Sequence, residues 1–150
     1  MKIEISRHQR GFSLIELMVV VAIVAIVMAI AFPSYERYVV TTKRAVAQNA
    51  LLQVADRQQQ FFMDNKRFAA SLANLGFAAN PWVVDDQGSS TVAGDTGAVY
   101  SVTLTNVTQT TWTATAAPLN GQLSRDTDCG SLSITQAGTK ASTGGGNNCW

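Results

Sequence analysis

Histidine is nearly absent from this chain: among 150 residues there is one, His8, close to the N-terminus. Cysteine stops at two, Cys129 and Cys149, proline at three, and charged residues at 14%. If the short basic stretch that holds His8 is removed, neither a Ser-His-Asp triad nor a Cys-His pair can be assembled from what remains. Two cysteines without a nearby histidine also fall short of the four ligands of a structural zinc site. Eleven Lys or Arg against ten Asp or Glu leave a net charge of +1. The charges are spread thinly, and no run of like charge marks a nucleic-acid footprint. The expectation is a chain that is not an enzyme, with no metal and no cofactor.

What the chain has is apolar length near its start. Leu17 to Phe32 holds sixteen uncharged residues, about 24 Å as a helix and short of a hydrocarbon core of about 30 Å. Counting from Phe12 gives twenty-one residues and about 31 Å, which spans it. The longer count takes in Glu16. A carboxylate at a bilayer centre costs about 2.5 to 3.5 kcal/mol on insertion scales, and ionisable groups in such segments usually have a function. Glu16 falls near one interface rather than at the centre.

Three readings of this segment compete. It is an uncleaved anchor, or a secretory signal cut beside the small-x-small site Ala29-Ile30-Ala31, or a helix retained after processing at Gly11. The third exposes a new amine on Phe12, one helical turn from Glu16 on the same face. Lys2, Arg7 and Arg10 precede the apolar run while Arg37, Lys43 and Arg44 follow it, so the positive-inside rule does not orient the chain.

Pro33 disfavours helical angles at Phe32, yet helical periodicity resumes beyond it. Val39, Val46, Ala50, Val54 and Phe61 recur on one stripe, with Leu51, Ala55 and Phe62 one position on. One helix from about Ser13 to Asp64, bent or loosened at Pro33, is expected. From Gly76 onward Gly, Ser, Thr, Asn and Asp dominate, and Asp85 to Gly97 reads as a loop. Alternation at Tyr100–Thr105, Trp112–Ala116 and Leu132–Thr135 predicts three strands of an antiparallel sheet. Asn120-Gly121 has turn chemistry. The apolar stripe of the helix's second half is expected to cover one face of that sheet.

Cys129 and Cys149, as a lone pair behind a membrane-directed segment, favour one disulfide in an oxidising compartment over metal ligation. Closing a loop of that size is worth roughly 3 kcal/mol on the chain-entropy model.

Arg10-Gly11-Phe12-Ser13-Leu14-Ile15-Glu16-Leu17 resembles the prepilin motif of type IV pilins and related pseudopilins, and Pro33 lies where those proteins often have a proline. The resemblance implies cleavage after Gly11 by a membrane aspartyl peptidase and N-methylation of Phe12 by the same enzyme. It implies that Glu16 pairs with the N-terminal amine of an adjacent subunit. Such a pair selects register more than it adds stability, because a desolvated carboxylate is costly alone. The tail Asp126-Thr127-Asp128-Cys129-Gly130, ending in Asn148-Cys149-Trp150, is similar to that of PilE-type minor pilins, in which the two cysteines bound a loop.

On this resemblance the fold is α+β, a long N-terminal helix packed on an antiparallel sheet with a C-terminal disulfide loop. Residues 1–11 are a leader, 12–40 a membrane and filament-core helix, and 41–150 a periplasmic or extracellular globular domain. The implied function is a structural subunit of a type IV pilus, more minor than major, that primes assembly and enters the fibre. Twitching motility, adhesion and DNA uptake would belong to the whole machine. Implied partners are major and minor pilin subunits, the prepilin peptidase/N-methyltransferase and an inner-membrane assembly platform, with no direct nucleic-acid site. The chain would cross the inner membrane once and then reach the pilus at the surface of a Gram-negative-type bacterium. A pseudopilin of a type II secretion system and a membrane-tethered adhesin are the alternatives.

Smaller features are read as structural. Asp126 and Asp128 are taken as solvated turn residues, two carboxylates being thin for calcium. Asp85 and Asp86 are taken as solvated too, Gly144-Gly145-Gly146 as a flexible turn, and Asn106-Val107-Thr108 as a sequon that short patterns produce by chance. Trp112 and Trp150 are expected to pack. Trp82, beside the loop to Gly97, is the candidate for contact with a partner.

Overall fold

The computed structural model describes residues 11–150, and these fall into two compact units, the first ending at Tyr38 and the second running Val39–Trp150. The expected leader up to Arg10, with His8, lies outside the described residues.

Helix α1 runs Leu14–Asn65, within a residue of the expected bounds. Ser13 starts it: its hydroxyl accepts the Glu16 N–H at 3.3 Å and its carbonyl accepts the Leu17 N–H at 3.2 Å. Pro33 lies inside the helix. Lacking an N–H, it leaves the Ala29 carbonyl without its usual partner four residues on, while the Ser34 hydroxyl donates to the Ile30 carbonyl at 3.3 Å. The helix ends where Lys66 turns left-handed at φ 56 and the Asn65 amide caps the Phe61 carbonyl at 3.0 Å.

In the second unit, Ala47, Ala50, Leu51, Val54 and Gln58 are the buried positions of α1. They share a core with residues from the inner face of a six-stranded sheet, in the order β2-β1-β3-β4-β5-β6, with every neighbouring pair antiparallel. Its strands are β1 Trp82–Asp85, β2 Ser90–Thr91, β3 Ala98–Thr105, β4 Thr113–Pro118, β5 Leu132–Thr135 and β6 Lys140–Ser142. Registry puts Trp82, Val102, Ala116 and Leu132 in one row and Leu104, Ala114 and Ile134 in another. These rows face the helix, whereas Thr103, Thr115 and Ser133 form a row on the other face. Leu51 and Val54 are fully covered, each contributing about 1.5 to 3 kcal/mol by burial.

β3, β4 and β5 occupy the three stretches whose alternation announced them. β1, β2 and β6 were not expected, and the stretch from Asp85 to Gly97, read as a loop, contributes the end of β1 and all of β2. The reason is local. Trp82, Val83 and Val84 are buried consecutively, without alternation, and β2 and β6 are only two and three residues long. Nor is Asn120-Gly121 a simple turn. It opens helix α2, Asn120–Arg125, with Asn120 at φ 47. The Asn120 amide donates to the Asp95 and Ala98 carbonyls, each at 2.9 Å.

Between α1 and β1 the chain is held by side chains of the helix. Gln58, fully buried, donates to the Ala69 carbonyl at 3.0 Å and accepts the Ala69 N–H at 2.9 Å, imitating a strand pair. Arg57 donates to the Leu75 carbonyl at 2.9 Å and lies 4.3 Å above the Phe77 ring.

Candidate functional site

Every residue from Gly11 to Tyr38 is exposed, Phe12 at 80%. The segment is an apolar helix that nothing among the described residues of its own unit covers, and such a surface is stable only in lipid or against other apolar surface. Glu16 is the acid of its first turn. Ser13-Leu14-Ile15-Glu16 is a capping-box sequence, legible but not recognised as one from the sequence. The Ser13 cap is worth about 0.5 to 2 kcal/mol, and a carboxylate in the first turn about 0.3 to 1 kcal/mol through the helix dipole. Glu16 therefore has a local use besides any pairing with a neighbour.

The second cluster lies at the C-terminus. Cys129 and Cys149 form a disulfide, with Cα atoms 5.4 Å apart. Of Gly144-Gly145-Gly146, read as a flexible turn, Gly144 and Gly146 are instead seated against the other arm of the loop, while Gly145 faces open space. The Gly144 N–H donates to the Cys129 carbonyl at 3.0 Å and the Gly146 N–H to the Asp128 carbonyl at 2.8 Å. A Cβ at Gly144 would stand 2.1 Å from the Asp128 carbonyl oxygen, so glycine is required there for close approach. Trp150 follows Cys149 directly: its indole N–H donates to the Ala141 carbonyl at 2.9 Å on edge strand β6, and Lys140 Nζ lies 4.9 Å from the centre of its ring.

The sequence reading of Asp126 as a solvated turn residue is corrected by its burial, at 1% exposure. Arg44 on α1 grips it from two sides, Nε to Oδ2 at 3.0 Å and NH2 to Oδ1 at 2.5 Å. The Tyr100 hydroxyl donates to Oδ2 at 3.1 Å, and Gln122 Nε2 reaches the same oxygen at 3.1 Å, Tyr100 Oη at 3.0 Å and the Val40 carbonyl at 3.2 Å. A buried carboxylate survives because each oxygen is hydrogen-bonded and a cation is opposite. The hydrogen bond to Asp126 raises the Arg44 pKa further above its already high value. Burial drives the Tyr100 phenol well above its ordinary range. No spacing in the sequence pointed to residues 82 positions apart, and Arg44 was read only as one of the basic residues that follow the apolar run.

Trp82 is corrected as well. It is 5% exposed and stacks on Phe77 at 4.3 Å between centroids, so it serves the core rather than offering a face to a partner. Trp112 packs as expected, edge-on to Phe68 at 6.2 Å, and its indole N–H finds no hydrogen-bond partner among the described residues. Asp85 is a turn anchor, accepting the Gln87 and Ser89 N–H groups at 2.9 and 2.8 Å.

Residues 6–32 match the model of the prokaryotic N-terminal methylation motif, and residues 33–133 match the family described as type IV minor pilin ComP, DNA uptake sequence receptor. The type IV major pilin protein PilA of Myxococcus xanthus is 39% identical over 71 residues, which cover 47% of this chain and 32% of that protein. A fimbrial protein of Pseudomonas aeruginosa is 35% identical over 94 residues, covering 57% of this chain and 59% of the relative. The chain thus spans about a third to three fifths of the length of these two curated relatives. A solved type IV pilin of Shewanella oneidensis, 22% identical, superposes with a TM-score of 0.44 over 71% of this chain and 92% of its own. With a family model covering well over half of the sequence and the methylation motif directly before it, this chain belongs to the type IV pilins, in the family named for the minor pilin ComP.

Proposed function

We propose that this chain is a minor structural subunit of a type IV filament. Cleavage after Gly11 frees the Phe12 amine for methylation, and the apolar helix holds the subunit in the inner membrane with Val39–Trp150 on the periplasmic side. The same helix then packs among its counterparts in the fibre, where Glu16 meets a neighbour's Phe12 amine and Pro33 loosens the helix locally. The supporting observation is the uncovered helix surface from Phe12 to Phe32, carrying one charge at a fixed distance from the processing site. Minor rather than major rests on the family match over residues 33–133. Partners on this reading are other pilins, the processing peptidase and the assembly platform.

Glu16 has two competing uses, and one substitution separates them. Glu16→Gln keeps a residue suited to the capping box but removes the charge, whereas Glu16→Ala removes both. If the charge sets register, both variants are processed normally and both fail to enter filaments. Normal incorporation of Glu16→Gln would reduce the residue to a helix cap. Intact mass of the mature protein, expected to lack Met1–Gly11 and to carry one added methyl group, tests the processing step.

The family description favours a second reading, in which this subunit contacts DNA. Lys43, Arg44, Arg57, Lys66, Arg67, Arg125 and Lys140 of the second unit are matched in number by Asp56, Asp64, Asp85, Asp86, Asp95, Asp126 and Asp128. Such balance gives little general attraction for phosphate. Retention of duplex DNA by filaments with and without this subunit, across a salt series, decides between the readings.

A further inference from the structure

Two side chains of α1 grip both ends of the loop that the disulfide closes. Arg44 holds Asp126, three residues before Cys129, through Nε and NH2, while its NH1 donates to the Asn148 carbonyl, beside Cys149, at 3.2 Å. Gln48, one helical turn on, donates to the carbonyl of Cys149 itself at 3.0 Å. One guanidinium therefore spans the two arms, and it is largely covered, at 13% side-chain exposure. The arms are also joined by the Gly144 and Gly146 N–H bonds and by the Thr143 N–H to the Ser131 carbonyl at 3.0 Å. None of these contacts passes through sulfur.

We propose that Arg44, assisted by Gln48, is a template that brings Cys129 and Cys149 together, so that the bond closes on a loop already docked on α1. Joining the ends of a flexible loop of this length costs entropy, and contacts at both ends raise the effective concentration of one thiol at the other. The covalent step is ordinary exchange with an oxidised low-molecular-weight disulfide. One cysteine thiolate attacks a sulfur of that reagent, expels one thiolate and becomes a mixed disulfide. The other cysteine thiolate then displaces the second. In sum two protons and two electrons leave the protein, the reagent is reduced to two thiols, and the Sγ–Sγ bond forms. The hydrogen bonds of Arg44 go to Asp126 and Asn148 and not to either sulfur, so it acts as a positioning residue.

The test uses the full chain in detergent micelles, reduced with a phosphine and brought to equilibrium in reduced and oxidised glutathione. Alkylation and intact mass then give the effective concentration of the cysteine pair. Arg44→Met is expected to lower it tenfold or more, since hydrogen bonds to charged groups are the stronger ones, and Gln48→Met to lower it several-fold. Arg57→Met removes a different tether of the same helix, to Leu75, and is expected to stay within twofold of the parent. Unchanged values for Arg44→Met and Gln48→Met would overturn the proposal. So would an equal loss in Arg57→Met, which would make the effect one of general stability. If Arg44→Met does not fold, Gln48→Met against Arg57→Met decides alone. Independently, hydrogen exchange of the Cys129→Ser/Cys149→Ser chain should show the Gly144 and Gly146 amides still protected; exchange at solvent rates would sink the template.

Discussion

Replacing Asp126 with alanine should be among the most damaging single changes in the globular unit. Asp126 is 1% exposed and the Arg44 side chain 13%, so the change strands a mostly covered guanidinium with the Asn148 carbonyl alone. It also takes the acceptor from the Tyr100 hydroxyl and one of three from Gln122. Removing one partner of a buried ion pair costs about 3 to 5 kcal/mol, a large share of the roughly 5 to 15 kcal/mol that stabilises a domain. At about 3 to 5 °C per kcal/mol for a unit of this size, the midpoint should fall by roughly 10 to 25 °C. The assay is a thermal melt of the full chain in micelles with the disulfide intact, followed by the fluorescence of buried Trp82 and Trp112. The paired variant Arg44→Met/Asp126→Leu is the necessary companion. It removes both charges and fills their space with apolar groups, and should lose less than Asp126→Ala. A fall of only a few degrees for Asp126→Ala, or a paired variant worse than either single one, would refute the reasoning.

Gly144→Ala forces a Cβ to 2.1 Å from the Asp128 carbonyl oxygen; the expected result is a chain recovered largely with free thiols, read by alkylation and mass. Leu51→Ala should cost about 2 to 5 kcal/mol, while the same change at neighbouring Leu52, 45% exposed, should stay within about 0.5 kcal/mol; urea midpoints compare them directly. Tyr100 gives a pH dependence of defined sign. Its phenol is raised by burial, so the stability that neutral Tyr100 contributes is full below its ordinary pKa of about 10 and is lost as pH climbs past it. Urea midpoints between pH 8 and 11 should fall more steeply for the parent than for Tyr100→Phe.

The extent of the helix, the three central strands and the cysteine pair were legible because each is a local pattern. A 3.6-residue stripe, a two-residue alternation and a count of two thiols need no knowledge of the rest of the chain. The outer strands were not legible. Trp82-Val83-Val84 has no alternation because it is covered on both faces, and Lys140-Ala141-Ser142 has little apolar character of its own. Trp82 was misplaced for a related reason: an aromatic beside a polar stretch looks exposed until Phe77 folds back onto it.

By itself the sequence determined that a long apolar helix runs into a small α+β unit. Such statements follow from runs, spacing and composition, which are properties of neighbours along the chain. Tertiary structure alone decided that Asp126 is interior, that Arg44 spans both arms of the disulfide loop, and that Gly144 and Gly146 are tightly seated against Asp128. A buried charge is tolerated only where distant groups converge on it, and convergence across 82 residues is a product of folding that no local pattern encodes.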